Sequence, residues 1–168
     1  MVLYILRNNI LLLFISSSLS AQSVAQRYGD RIELLGIAFK DPLVLCQIFI
    51  AIFISIVFMQ SGLDKIQDRK GNIEFFRLHF KDTLLNKFSS QLLTILTFLE
   101  LLAGLVLLYG IYFSFTEKIT IWIFYGLVLA AFNFLALFAG QRIAKDYLGA
   151  ANIVPYFILI MLGIMSMY

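Results

Sequence analysis

Glu100 is the only charged residue in the run Phe88–Phe115. That run is long enough to cross a bilayer, since roughly 20 helical residues span the ~30 Å hydrocarbon core. A carboxylate at such depth must be neutral, paired or turned towards a wet interior. Even the lenient insertion scale sets an isolated charge there at roughly 2.5–3.5 kcal/mol. Two chemistries follow from its type and place: proton donor or acceptor at a buried site, or ion-pair partner of a nearby Lys or Arg. Thr97 and Gly104 share its helix face at three- and four-residue spacing, with Thr94 beside them. Gly104, one turn on, leaves room for another helix or a ligand beside the carboxylate.

Other polar groups sit at compatible depths. Asn133 lies in a third apolar run, on a stripe of small residues (Gly126, Ala130, Ala136, Gly140, Ala144) that suits close helix packing. Packing explains the small residues, whereas Asn133 needs hydrogen-bond partners in hydrocarbon. Gln60, Asp64 and Lys65 close the first apolar run; Gln141, Arg142, Lys145 and Asp146 close the third. Counted inward from that side, Glu100 is roughly 13–18 Å deep and Asn133 roughly 10 Å. Lys65 and Arg142 have stems long enough to reach inward. These depths allow a polar pocket of Lys65, Glu100, Asn133 and Arg142. Glu100 is the catalytic candidate, and Gln60, Lys65, Glu100, Asn133, Gln141 and Arg142 are the ligand-binding candidates.

Much chemistry is excluded by what is scarce. With one Cys (Cys46) and one His (His79), the chain can form no internal disulfide, CxxC pair, thiolate cluster or bis-His haem. Cys46 reads as a small apolar filler and His79 as a surface residue of a charged connection. Met161, Met165 and Met167 read as packing rather than a soft-metal cluster. No metal site and no cofactor site of its own is evident. A net charge of +3 is too small to argue for nucleic acid.

The elements that must position these groups are helices. The 168 residues are 61% hydrophobic and 14% charged, against about half and a quarter in soluble domains. The chain therefore reads as an all-α integral membrane protein in contact with lipid. Four apolar segments stand out at about 42–62, 88–115, 119–140 and 153–168, the last opened by Asn152 and Pro155. They predict a transmembrane four-helix bundle over 43–168. Residues 1–21, with Arg7 before an apolar run and small residues at Ser18 and Ser20, read as a signal peptide or signal anchor. Residues 22–42 read as a polar linker or interfacial helix. Within the connection 61–91, Ile73, Phe76, Phe80, Leu84 and Phe88 recur at helical spacing. An amphipathic interfacial segment over about 72–88 is expected from them.

Orientation follows from basic residues. The first and third connections carry eight Lys/Arg and the second connection and N-terminal tail five, which puts the first and third in the cytoplasm. The bacterial inner membrane is the expected location.

The segment Met59-Gln-Ser-Gly-Leu-Asp-Lys65 resembles the G-x-x-K helix end of DoxX-family membrane proteins. Leu99-Glu-Leu-Leu-Ala-Gly-Leu-Val-Leu-Leu-Tyr-Gly110 resembles that family's E-x-x-x-G-x-x-L-x-x-G helix. The likeness runs over roughly Leu43 to Tyr168; Gly140–Tyr147 looks like a subgroup feature with no assigned chemistry, and the leader departs from the usual pattern. It implies a compact four-helix bundle. Some members are linked to quinone-reducing sulfur oxidation, as the DoxD and DoxA subunits are, others are proposed to recruit redox or detoxification enzymes to the membrane, and many have no known activity. The first expectation is thus a small membrane subunit that assembles with larger protein partners, Glu100 serving as ion-pair partner. The alternative is a quinone-binding oxidoreductase subunit in which Glu100 moves protons and Lys65, Asn133 and Arg142 orient the head group. A small transporter ranks third, for want of an inverted repeat.

Overall fold

A computed structural model describes residues 32–34, 37–39 and 42–167, and the chain divides at Pro42 into two units. The expected signal peptide or anchor lies outside the described residues. In the first unit, β1 (Ile32–Leu34) and β2 (Ile37–Phe39) pair antiparallel with Ile32 opposite Phe39. Over these residues the linker is a short hairpin, not an interfacial helix.

The second unit is built on helices: α1 (Pro42–Gln67), α2 (Arg69–His79), α3 (Ser89–Thr116), α4 (Ile121–Ile143) and α5 (Tyr147–Met165), with a 3₁₀ turn at Leu84–Phe88 before α3. Helices α1, α3, α4 and α5 are each long and apolar enough to cross a membrane. Their outer faces carry large apolar side chains such as Phe49, Ile56, Phe98 and Phe132 at 57–65% exposure. Lipid, not water, is the solvent that tolerates such a surface. The protein is an all-α integral membrane protein.

Consecutive spanning helices run antiparallel. Gly62 of α1 faces Leu101 of α3, and Gly104 of α3 faces Met59 of α1, so α1 descends where α3 rises. Next, α3 meets α4 where Gly110 abuts Ile123 and Gly126 abuts Leu107, and α4 meets α5 where Gly163 abuts Leu127. An aromatic column ties three helices: Phe58 lies 5.0 Å from Phe134, which stacks on Tyr156 at 5.6 Å, and Phe53 stacks on Tyr156 at 6.1 Å. Each such pair adds roughly 0.5–1.5 kcal/mol to its burial. At the far end, Gln47 of α1 donates to the Ser166 carbonyl just past α5 at 2.9 Å. This arrangement puts α2, the start of α3, the end of α4 and the start of α5 at one end of the bundle.

Three boundaries differ from the sequence-based reading. Gly62 does not end α1: the helix runs on to Gln67, and Gly62 instead lets Leu101 press against it. The amphipathic segment breaks after His79, where Thr83 caps a 3₁₀ turn by accepting from Leu85 N–H. Helix α5 starts at Tyr147, capped by Asp146 accepting from Gly149 N–H at 2.8 Å, so Pro155 lies inside the helix. The tight start has a cause. Asp146 N–H bonds Gln141 O and Lys145 N–H bonds Arg142 O, with Lys145 at φ 60. That is a Schellman closure of α4, with a lysine where glycine is usual.

Close approach is most demanding at Gly110. A Cβ there would stand 2.7 Å from Ile123 N and 2.8 Å from Trp122 C, both backbone atoms. At Gly140 it would meet the Phe80 ring at ordinary contact distance, 3.5 Å to Cζ. Gly110→Ala therefore forces α3 and α4 apart and should lower stability by about 1–3 kcal/mol. Gly140→Ala should be neutral or raise stability by up to ~1 kcal/mol through helix propensity. Melting both variants in one detergent checks the contrast; equal effects would contradict it.

Candidate functional site

The extension of α1 past Gly62 creates the site. Ser61 and Lys65, four residues apart, fall on one helix face and both reach Glu100 of α3. Lys65 Nζ lies 3.0 Å from Glu100 Oε2 and donates to Oε1 at 3.2 Å. It also donates to Ser61 Oγ at 2.6 Å and to the Ser61 carbonyl at 3.2 Å, while Ser61 Oγ donates to Glu100 Oε1 at 3.2 Å. The carboxylate side chain is 1% exposed and the lysine side chain 13%. An ammonium, a hydroxyl and a carboxylate thus close a small charge-balanced ring about 16 Å along α3 from its first residue.

The neighbours of this ring are set by packing. Gly104 does not leave a ligand space: Met59 of α1 fills it, its Sδ 2.8 Å from where a Cβ would stand. Asn133 of α4 donates through Nδ2 to the Leu99 carbonyl at 3.0 Å, and its Oδ1 is buried without a partner among the described residues. Asn133 therefore holds the backbone beside Glu100 instead of touching the carboxylate. Thr97 bonds back to Leu93 O at 2.7 Å, and Thr94 accepts from Arg69 of α2 at 2.8 Å.

A cavity of about 420 Å³ opens beside the ring, between α2, the first turns of α3 and the last turns of α4. Apolar side chains form most of its wall, among them Phe75, Phe76, Leu96, Leu99 and Leu137, with Lys65, Asn72, His79 and Gln141 as polar points. Two buried polar atoms of residues in this wall, His79 Nε2 and Gln141 Oε1, have no hydrogen-bond partner among the described residues. A buried polar atom left so is worth about 1–3 kcal/mol of lost solvation. His79 is held by ring contacts to Phe75 at 5.4 Å and Phe80 at 5.1 Å.

The sequence candidates separate on this geometry. Lys65 and Glu100 meet, Asn133 stands next to them through the backbone, and Gln141 shares the cavity wall with Lys65. Gln60 is exposed on α1 and is not part of the wall. Arg142 is exposed and stacks over the Tyr147 ring at 4.6 Å, so the convergence on Glu100 that its depth allows is not seen. Ser61 and His79 were missed as site residues. Serine–lysine spacing of four could have flagged Ser61; nothing in the sequence shows α2 folding His79 back onto the bundle. Among the described residues no cluster of three or more His, Cys, Asp or Glu could hold a metal ion.

The DoxX family model matches residues 47–142, which takes in α1 to α4 and with them Lys65, Glu100 and Asn133. The chain belongs to the DoxX family. No curated protein and no solved structure matches it significantly. The match stops within α4, so α5 stands on the structure and the sequence resemblance alone. In this DoxX protein the two quoted motifs acquire a physical meaning: the lysine of the first and the acid of the second are the two halves of the ion pair.

Asn133 supplies a test of the packing. Asn133→Leu removes one hydrogen bond but also an unsatisfied buried oxygen, so stability should change by no more than about 1 kcal/mol. Asn133→Asp puts an unpaired carboxylate beside Glu100 and should lower stability by at least roughly 2.5 kcal/mol. Detergent titration of folded fraction measures both; an intolerant leucine variant would mean that Oδ1 has a partner.

Proposed function

We propose that the protein is a small membrane subunit that assembles with larger partners in a redox complex, and that its cavity between α2, α3 and α4 holds a lipid-soluble quinone. The cavity carries this reading. Its volume of about 420 Å³ is within the range of small-molecule sites, roughly 300–1,000 Å³. An apolar wall with a few polar points fits a quinone ring and the start of its tail. His79 and Gln141, polar residues of that wall, fit an occupant that brings its own polar groups.

A quinone, when bound, supplies two-electron, two-proton chemistry. The chain's own residues bind and orient. Phe75 and Phe76 face the ring, and Lys65, fixed by Ser61 and Glu100, sets a positive charge in the wall. Glu100 acts through Lys65: it is absent from the wall and both its oxygens lie near the ammonium. In this reading Glu100 is an ion-pair partner and not a proton carrier. With one Cys and one His in the chain, electrons come from a partner protein. The basic connections at the α2 end face the cytoplasm, and the membrane is the bacterial inner membrane.

Native mass spectrometry of the protein extracted from its own membrane tests both halves of the reading. The expected result is a stoichiometric partner chain together with a quinone released on denaturation. Ala136→Trp, which fills the cavity, should lose about tenfold or more of the quinone and keep the partner. A lone chain carrying no quinone would contradict the proposal.

A further inference from the structure

A quinone with a long tail does not fit whole into about 420 Å³. A cavity of roughly 150 Å³ takes a benzene, so this one takes a substituted ring and the first carbons of a chain. The rest must leave through an opening, and the walls differ in what they offer. Just after α2, Phe80 is 6% exposed and meets Gly140 of α4, which closes the wall there. Towards the lipid the wall is open. Ile95 of α3, Ile143 of α4 and Phe75 of α2 line the cavity yet are 56%, 50% and 58% exposed.

The opening has a cause in the α4 sequence. Phe132, Ala136, Ala139 and Ile143 follow at four-, three- and four-residue spacing on one helix face. Ala136 and Ala139 are wall residues and exposed, so two small side chains stand between two large ones. The α3 side of the cavity is Ile95 and Leu99, one turn apart. Ile95 is about 9 Å along α3 from its first residue, and Ala136 about 10 Å along α4 from its last. Both therefore lie below the polar start of α3, Ser89, Ser90 and Gln91, at the level of hydrocarbon.

We propose that this gap between α3 and α4 is the tail exit of the quinone site, an inference that rests on the quinone reading above. The ring enters sideways from the bilayer, and the tail runs out past Ala136 and Ala139 into lipid. The ligand class is thus a quinone with a long apolar tail, held by its ring and still joined to the membrane. Lipid chains are as apolar as the gap, so the tail adds little affinity of its own. What the open gap removes is the strain of folding a long chain into a closed cavity.

The test uses the full chain in phosphatidylcholine nanodiscs and two quinones of one ring, one tailless and one carrying several isoprene units. Binding is expressed per mole of lipid. A photoreactive diazirine in the first isoprene unit of the tailed quinone should label Ile95, Leu99, Ala136 or Ala139, and excess tailless quinone should remove most of that label. Ala139→Phe puts a ring into the gap. It should weaken the tailed quinone about tenfold or more, the effect of overpacking a fitted site, and leave the tailless one unchanged. Label on these residues that excess tailless quinone does not remove is ordinary lipid contact and overturns the exit. Competed label confined to α2 overturns it as well. Equal effects of Ala139→Phe on the two quinones do the same, and in each of these cases binding of the tailless quinone leaves the quinone reading standing. The labelling is read on the unaltered protein, so it decides even where the variant does not fold. Failure of both quinones to bind overturns the quinone reading itself.

Discussion

Placing Lys65 and Glu100 in a bundle whose outer face is hydrocarbon leaves them little choice. Each charge alone would be a liability of several kcal/mol, and together, with Ser61 closing the ring, they neutralise each other at 3.0–3.2 Å. This pairing fixes the register of α1 against α3. A slip of one residue along α1 would rotate Lys65 about 100° away from α3 and leave Glu100 buried alone. Register then dictates the rest of the contact: Gly62 comes opposite Leu101, and Met59 opposite Gly104. Asn133 adds α4 to the same level by bonding the Leu99 carbonyl.

From that fixed level the two ends of the bundle behave differently. Towards the far end, small residues let backbones approach until Gly110 touches the start of α4, and packing is dense. Towards the near end α2 intervenes. Arg69 holds its start to Thr94, and Phe80 is buried just after its last turn, yet the space between α2, α3 and α4 stays unfilled. The cavity is thus what an amphipathic helix leaves when it caps a bundle end without entering it. Lys65 stands at the boundary, one side bonded into the ring and the other forming part of the wall.

Four apolar segments, their antiparallel order and the polar depth of Glu100 were legible in the sequence, because hydrophobic length is a strong signal in a membrane protein. The Lys65–Glu100 partnership was also within reach, since counting residues from one membrane face gives depth. Boundaries were less visible. A glycine at Gly62 reads as a stop, and only Leu101 on the neighbouring helix shows that it is a packing position. Asn152 and Pro155 read as a helix start, while the Schellman closure at Lys145 begins α5 six residues earlier than Ile153. His79 was set aside as a surface residue because its place depends on how α2 folds back, and a single amphipathic pattern does not encode that. Arg142 shows the converse: its charge suggested the site, and a local stack on Tyr147 took it elsewhere.

A double-mutant cycle on Lys65→Met and Glu100→Met tests the central claim most directly, with stability read as folded fraction against denaturing detergent. Each single variant strands a charge and should lose about 3–5 kcal/mol. The double variant should lose far less than the sum, giving a coupling of at least about 2 kcal/mol. Additive losses would mean that the two residues stabilise the bundle independently, and the register argument built on their pairing would fall.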